Sequence, residues 1–299
     1  MTGRELRWIE SGVGTAPKVA WTATTDAELA GLALSRETGE IVAADVSGGL
    51  YIFDRHGRIV NVTRAWREIL ELAWSDTGNG GIVLVEDNTV CRLNHSLEQL
   101  WKKRAPREIT ALAISPWGHH VAVGIAGRRF AVLDWNGKRV ADVETIRTPA
   151  ILRFADTRPL IVGASKDGQL YCHNLNGSPV WSEKVWSNVG DLSLSGALHR
   201  IAVAGYNHGI QILDEKGVHQ GSYVVEGTPG LVSMSCLPER IAAATQENHL
   251  YWLDADGELI WATVMDESPL RVICDPLAAG MVCGFPSGRI VRLSWELPA

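Results

Sequence analysis

The chain of 299 residues repeats one pattern of short apolar segments every 40 residues, seven times and without a change of spacing. The first segments start near 31, 71, 111, 151, 191, 231 and 271 and read GLALS, ELAWS, ALAIS, ILRFA, DLSLS, LVSMS and RVICD. Two further apolar runs follow in each copy, for example HVAVGI and FAVLD in the third. Gly, Asn and Asp fill the connections, and these residues tolerate the positive φ of tight hairpins. The pattern predicts a four-stranded antiparallel sheet in each copy.

The two ends of the chain predict how the sheets are joined. The last copy stops after its third strand, IVRLS at 290–294, whereas KVAWTATT at 18–25 is a strand without a copy of its own. This strand contains Trp21, which has the same position in the repeat as tryptophans in the fourth strands of three other copies. These are Trp101, Trp181 and Trp261. A first strand that completes the last sheet closes a ring and removes open edges. We therefore predict an all-β, seven-bladed β-propeller over 18–299, preceded by an N-terminal arm of residues 1–17.

Composition limits the classes of function. A content of 46% apolar and 21% charged residues is ordinary for a globular protein, and a net charge of −6 disfavours non-specific binding to nucleic acid. No apolar stretch reaches the roughly 20 residues of a membrane helix, and the start lacks the apolar core of a signal peptide. Five cysteines follow no metal-binding spacing, which predicts reduced, packed thiols. We expect a cytoplasmic monomer without a cofactor or a metal site.

The repeats resemble those of a known superfamily. ALAISPWGHHVAVGIAGRRFAVLD is similar to a blade of the WD-repeat superfamily, and SKDGQLYCHN is similar to the hairpin and third strand of such a blade. The acidic residue that ends the third strand in that superfamily is matched by Asp54, Asp134, Asp214 and Asp254, although no copy has Trp before it. LDADGELIW and HNLNGSPVW also resemble quinoprotein propellers. The resemblance extends over almost the whole chain and implies the fold rather than a function.

Basic residues concentrate in loops at one end of blades two to four. Residues 101–153 hold ten Lys or Arg against four Asp or Glu. We predict that a protein or peptide partner binds here, because Trp combined with Arg is frequent in binding hot spots. The predicted partner-binding residues are Trp66, Arg67, Arg104, Arg107, Arg128, Arg129 and Arg147. The alternative is a solvated face whose charges confer only solubility.

A second candidate site lies along the first strands, which line the central channel of a propeller. Most of these positions are small, but Glu71, Arg153, Asp191 and Arg271 are charged. Two arginines could hold a carboxylate or phosphate there. Alternatively, Arg153 pairs with Asp191 or another acidic neighbour and fastens the blades, since an unpaired buried charge is costly.

A third candidate surface is at the opposite end of blade three, where Trp117 and Trp135 occupy turns that small polar residues could form. Exposed, they would form an apolar docking patch. Alternatively, they pack on each other or on the N-terminal arm, which carries Trp8.

Sequence motifs of enzymes are missing: we find no phosphate-binding glycine loop, nucleophile elbow or HExxH. We therefore predict a non-catalytic protein-interaction scaffold. The alternative is a small-molecule site in the channel, as in propeller hydrolases and lyases, whose metal sites leave no linear motif.

Overall fold

A computed structural model describes residues 6–196 and 198–295 as seven antiparallel sheets, six of four strands and one of five. These sheets are the blades of an all-β, seven-bladed propeller, which confirms the fold predicted from the repeats. Residues 1–5 of the predicted arm and 296–299 of the predicted propeller lie outside the described residues.

The chain divides into two compact units, which we call the terminal unit (1–23 and 187–299) and the central unit (24–186). The N-terminal segment provides α1 (Arg7–Glu10), β1 (Val13–Gly14) and β2 (Lys18–Thr24).

The central unit holds blades one to four. Their strands are β3 (Leu29–Leu34), β4 (Ile41–Asp45), β5 (Leu50–Phe53) and β6 (Ile59–Thr63); β7 (Ile69–Trp74), β8 (Gly80–Val85), β9 (Thr89–Asn94) and β10 (Gln99–Arg104); β11 (Ile109–Ile114), β12 (His120–Ile125), β13 (Arg129–Asp134) and β14 (Arg139–Glu144); β15 (Ile151–Phe154), β16 (Leu160–Ala164), β17 (Gln169–Asn174) and β18 (Pro179–Lys184).

The terminal unit holds blades five to seven. Their strands are β19 (Val189–Leu194), β20 (Arg200–Gly205), β21 (Gly209–Asp214) and β22 (His219–Tyr223); β23 (Pro229–Met234), β24 (Arg240–Thr245), β25 (His249–Asp254) and β26 (Leu259–Val264); β27 (Arg271–Cys274), β28 (Gly280–Gly284) and β29 (Arg289–Ser294).

Burial within a blade follows the order of its strands. The second and third strands are almost wholly buried, as in β4 and β5, whereas the fourth strands β6 and β10 are mostly exposed. The middle strands of blade one are apolar without alternation because both of their faces are covered. The blades are therefore rigid supports from which the loops project.

Blade seven is completed from the other end of the chain. Its sheet has the order β2–β29–β28–β27, so the N-terminal strand provides the fourth strand, as predicted from Trp21 and the truncated seventh copy. Ahead of it, β1 adds a fifth strand to blade six by pairing with β26, and the Thr15 N–H donates to the Ile260 carbonyl at 2.8 Å. The predicted arm thus contains a segment that is bonded to blade six.

Candidate functional site

The predicted basic surface lies at one end of the central unit, where the loops after the second and fourth strands of each blade meet; we call this end the top face. Two backbone bonds at blade three show how the loops are held together. The Ala126 N–H donates to the Glu108 carbonyl, and the Thr145 N–H donates to the Arg128 carbonyl, both at 2.9 Å. The β12–β13 hairpin is therefore fixed to the loop before β11 and to the end of β14.

The cations before and after blade two are partly neutralised. Arg67 Nη1 lies 3.4 Å from Glu86 Oε1, and Arg104 Nη2 lies 3.9 Å from Asp87 Oδ1. The Arg104 Nε–H also donates to the Asp87 carbonyl at 3.0 Å. Trp66 is half-buried against the core of blades one and two. This part of the predicted surface is close to electrically neutral.

Two cations of blades three and four also have acidic partners. Arg129 Nε lies 3.4 Å from Asp142 Oδ1, and Arg147 Nε lies 3.0 Å from Asp167 Oδ2. The Ser165 hydroxyl and the Arg147 guanidinium together hold the pKa of Asp167 below its usual range. Carboxylates on a neighbouring strand and in a loop thus form ion pairs with Arg129 and Arg147, which appeared unpaired in the sequence.

Three cations of the top face remain without a carboxylate. Among residues 6–196 and 198–295, no carboxylate oxygen comes within 4.0 Å of the charged nitrogens of Arg107, Arg128 or Lys166. Lys166 was not among the predicted partner-binding residues, although the sequence places it in a loop of the same class. Its position in the β16–β17 hairpin, next to the loop that carries Arg147, is the signal that could have identified it.

These cations line two recesses that meet at the loop before β11. The smaller recess has a volume of about 330 Å³ and is lined by Arg107, Gly127, Arg128, Arg129, Glu144 and Thr145. The larger, of about 520 Å³, is lined by Glu108, Ile109, Thr110, Arg147, Thr148, Pro149, Ala150, Ser165, Lys166 and Asp167. Both recesses border the loop before β11, the smaller through Arg107 and the larger through Glu108. We call them together the top groove.

An exposed tryptophan lies beside the larger recess. Trp186 is 81% exposed, and the Val185 N–H before it donates to the Gly168 carbonyl of the β16–β17 hairpin at 2.9 Å. Lys184 Nζ lies 5.6 Å from the centre of the indole rings. The top face therefore carries an exposed aromatic side chain near the cations of the top groove, the combination that we had expected at Trp66.

Three of the four charged channel candidates form hydrogen bonds with backbone groups. Arg153 donates to the Leu152 carbonyl and Arg271 to the Leu270 carbonyl, each at 3.1 Å, and Glu71 is half-buried on β7. In the terminal unit, Asp191 is buried and accepts the Leu192 N–H at 2.8 Å and the Val232 N–H at 3.4 Å. Asp191 thus joins blades five and six.

The central unit contains a charged network that we did not predict from the sequence. Arg36 Nη1 lies 2.5 Å from Asp156 Oδ2, and Arg36 Nε lies 3.8 Å from Asp76 Oδ1. Burial raises the pKa of Asp76 to about 6, and it also raises the pKa of Asp156. The three residues occupy the same position of the 40-residue repeat, directly after the first strand. The sequence shows this equivalence, but it does not show that side chains from blades one, two and four meet.

This network predicts a pH dependence of stability. The folded state favours protonated Asp76, so the unfolding free energy falls as the pH rises from about 4 through about 6. A rise of roughly 2 pKa units corresponds to about 2–3 kcal/mol. For Asp76→Asn, we expect the unfolding free energy relative to wild type to increase by about 2 kcal/mol between pH 4.5 and pH 7.5. Urea unfolding at both pH values measures it.

The control for this prediction is Glu28→Gln, which removes an exposed carboxylate elsewhere in the central unit. Its effect on the unfolding free energy should change far less between the two pH values. A difference for Asp76→Asn that stays constant with pH would show that burial does not control the ionisation of Asp76.

The aromatic residues at the other end of blade three are exposed, Trp117 by 57% and Trp135 by 43%. Behind them, Arg92 is fully buried, and burial lowers its pKa to about 10. Its guanidinium donates to the Gly81 carbonyl at 2.8 Å and lies 5.1 Å from the Trp135 ring centre. Trp135 therefore covers a buried cation. Trp8 packs elsewhere, within the core of the terminal unit.

We find neither a metal site nor a membrane helix in the part of the chain that the structure describes. No group of three or more His, Cys, Asp or Glu side chains is arranged to hold a metal ion there. In the same residues, every helix is too short or too polar to cross a membrane.

Comparison with known proteins supports the fold. No protein-family model and no curated protein matches the sequence. The crystal structure of the Cps50 (Swd1) β-propeller domain of Myceliophteria thermophila superposes with a TM-score of 0.81 and 16% identity. The match covers 94% of this chain and all of that domain. The β-propeller fold predicted from the repeats is thus confirmed.

Proposed function

We propose that this chain is a non-catalytic interaction scaffold that binds an acidic peptide segment of a partner protein in the top groove. The observation that carries the proposal is the set of three cations, Arg107, Arg128 and Lys166, without a carboxylate partner among the described residues. A partner that supplies carboxylates would complete ion pairs that the chain itself leaves open.

The charge distribution of the groove supports an acidic occupant. The whole chain carries a net charge of −6, so a basic groove is a local exception. A basic groove on an acidic chain attracts an acidic segment and orients it before contact. Trp186, beside the larger recess, adds an apolar surface on which a side chain of the partner can pack.

The rigidity of the groove also supports binding. Its loops are short, and backbone hydrogen bonds join them to one another and to strands of blades three and four. A preformed groove loses little conformational entropy when a peptide binds. The similarity to another β-propeller domain, at 16% identity, supports the fold that holds these loops.

The test is a charge-reversed variant, Arg107→Glu/Arg128→Glu/Lys166→Glu. We expect wild type to bind immobilised Asp- and Glu-rich peptide pools and to lose at least tenfold in affinity in the variant, since like charges then face the ligand. Fluorescence anisotropy with the enriched peptides measures the affinity, and thermal melting verifies that the variant is folded.

The matched control is Arg58→Glu/Lys138→Glu/Lys216→Glu, which reverses three exposed cations outside the top groove. Because the two variants have the same net charge, a general electrostatic effect would weaken both equally. Equal weakening, or no binding of acidic pools by wild type, contradicts the proposal.

A further inference from the structure

Arg128 stands at a repeat position where the chain otherwise prefers small or turn-forming residues. The equivalent residues of the other six copies, at intervals of 40, are Gly48, Asn88, Gly168, His208, Asn248 and Gly288. The backbone of Arg128 has φ 65°, in the left-handed region. Gly and Asn adopt this conformation more readily than an arginine. Turn formation alone therefore does not account for an arginine here, and a conformational cost of this kind points to a function.

A second guanidinium is held against the same hairpin. A methyl group on Gly127 would lie only 2.6 Å from Arg107 Nη1, so the guanidinium of Arg107 rests on the backbone at the tip. The positive φ of Gly127, 99°, also favours glycine. Arg107 and Arg128 line the smaller recess together.

The hairpin also leaves a main-chain donor available. In five of the other six blades, the equivalent N–H donates to the carbonyl three residues earlier, in the pairs Gly48–Asp45, Gly168–Ser165, His208–Gly205, Asn248–Thr245 and Gly288–Phe285. The Arg128 N–H makes no such bond within the described residues. The turn itself therefore leaves this donor unused.

The charge of the smaller recess matches a dianion. Three arginines line it against one carboxylate, that of Glu144, which is a formal charge of +2. Arg129 also contacts Asp142, so Arg107 and Arg128 are the cations that remain open. Two guanidinium groups and a main-chain N–H together provide many hydrogen-bond donors. A carboxylate has only two oxygens, which lie in one plane, so it can accept from only some of these donors. A phosphate group presents three terminal oxygens and close to two charges at neutral pH.

We propose that the smaller recess binds a phosphate group carried by the partner's peptide, as on phosphorylated serine or threonine. The inference rests on the proposed function and specifies it: the acidic segment lies along the top groove with its phosphate between Arg107 and Arg128. The larger recess, with Lys166 and the nearby Trp186, then accepts the flanking residues.

The experiment uses the full chain and three degenerate peptide pools that differ only at a central serine, phosphoserine or glutamate. We expect wild type to bind the phosphoserine pool at least tenfold more tightly than the other two. Inorganic phosphate alone, added as a competitor at millimolar concentration, should weaken this binding.

Arg128→Asn is the decisive variant, because Asn88 and Asn248 already occupy the equivalent turn position. We expect a melting temperature no lower than that of wild type together with loss of the tenfold preference for phosphoserine. Lys138→Asn removes one exposed charge from the other end of blade three and should retain the preference.

The outcomes separate the two proposals. Equal binding of all acidic pools, lost on charge reversal in the top groove, would overturn the phosphate site and leave the acidic-peptide scaffold standing. Binding of inorganic phosphate without any preference for the phosphoserine pool would overturn the assignment of the phosphate to a peptide. If no pool binds, both proposals fail.

Discussion

A chain that lacks residues 1–25 is expected to aggregate, or to melt without a cooperative transition. The truncation removes β2, which provides the fourth strand of blade seven next to β29. It also removes α1 and β1, which contact blade six through β26. Size-exclusion chromatography and the steepness of the thermal transition, followed by circular dichroism, measure the effect.

The physical reason is the edge that the deletion creates. β29 is mostly buried and contains the apolar residues Ile290, Val291 and Leu293, and without β2 its outer N–H and C=O groups lose their partners. An apolar edge strand with open hydrogen-bonding groups is a template for pairing with other chains. By contrast, β2 itself is exposed along most of its length, so its main contribution is the covering of this edge rather than burial of its own side chains.

A shorter truncation separates the strand from the segment before it. Deleting residues 1–16 removes α1 and β1 but keeps β2. We expect this chain to remain soluble and cooperative, with reduced stability. A peptide of residues 18–25 added to the longer truncation should partly restore solubility, because it can add the missing strand. A soluble longer truncation with one sharp transition would contradict the closure of blade seven by β2.

The blades could be predicted almost strand by strand because each 40-residue copy contains its own strands and turns. In the third copy, the runs HVAVGI and FAVLD correspond to β12 (His120–Ile125) and β13 (Arg129–Asp134). Trp21, which we aligned with the tryptophans of fourth strands, indeed lies on a fourth strand. Local hydrophobic pattern and turn chemistry were sufficient for this part of the structure.

The candidate site was less predictable because its charges interact over long distances in the sequence. The concentration of cations was visible, but it did not show that Asp142 contacts Arg129 while Arg128, one residue earlier, has no carboxylate partner within the described residues. The pair of Arg36 and Asp156 spans 120 residues. The repeat shows that two residues occupy equivalent positions, and only the three-dimensional arrangement shows which side chains meet.

The segment before β2 was the least predictable part, since it contains no repeat. We considered Trp8 as a partner for the exposed tryptophans of blade three. It is instead buried in the core of the terminal unit, with ring centres 6.3 Å from Trp261 and 6.5 Å from Phe285. Its carbonyl also accepts a hydrogen bond from the Thr263 hydroxyl. A single aromatic residue outside a periodic pattern gives no sequence signal for its packing partner.

Trp8→Ala is expected to lower the unfolding free energy by about 3–5 kcal/mol, the range typical of a large aromatic side chain removed from a core. Trp8 is only 5% exposed, and its ring contacts aromatic groups of blades six and seven. The cavity left behind cannot close easily, because strands β26 and β28 on either side are held in their sheets. Equilibrium unfolding in urea, followed by circular dichroism, measures the difference.

Trp117→Ala is the matched control, since it removes the same side chain from an exposed turn and should change the unfolding free energy by no more than about 0.5 kcal/mol. Trp8→Phe keeps an aromatic ring at the site and should lose clearly less than Trp8→Ala. If Trp8→Ala and Trp117→Ala are equally mild, α1 is not a structural part of the terminal unit. The stabilising role of the N-terminal segment would then belong to β2 alone, and the shorter truncation should be as stable as the full chain.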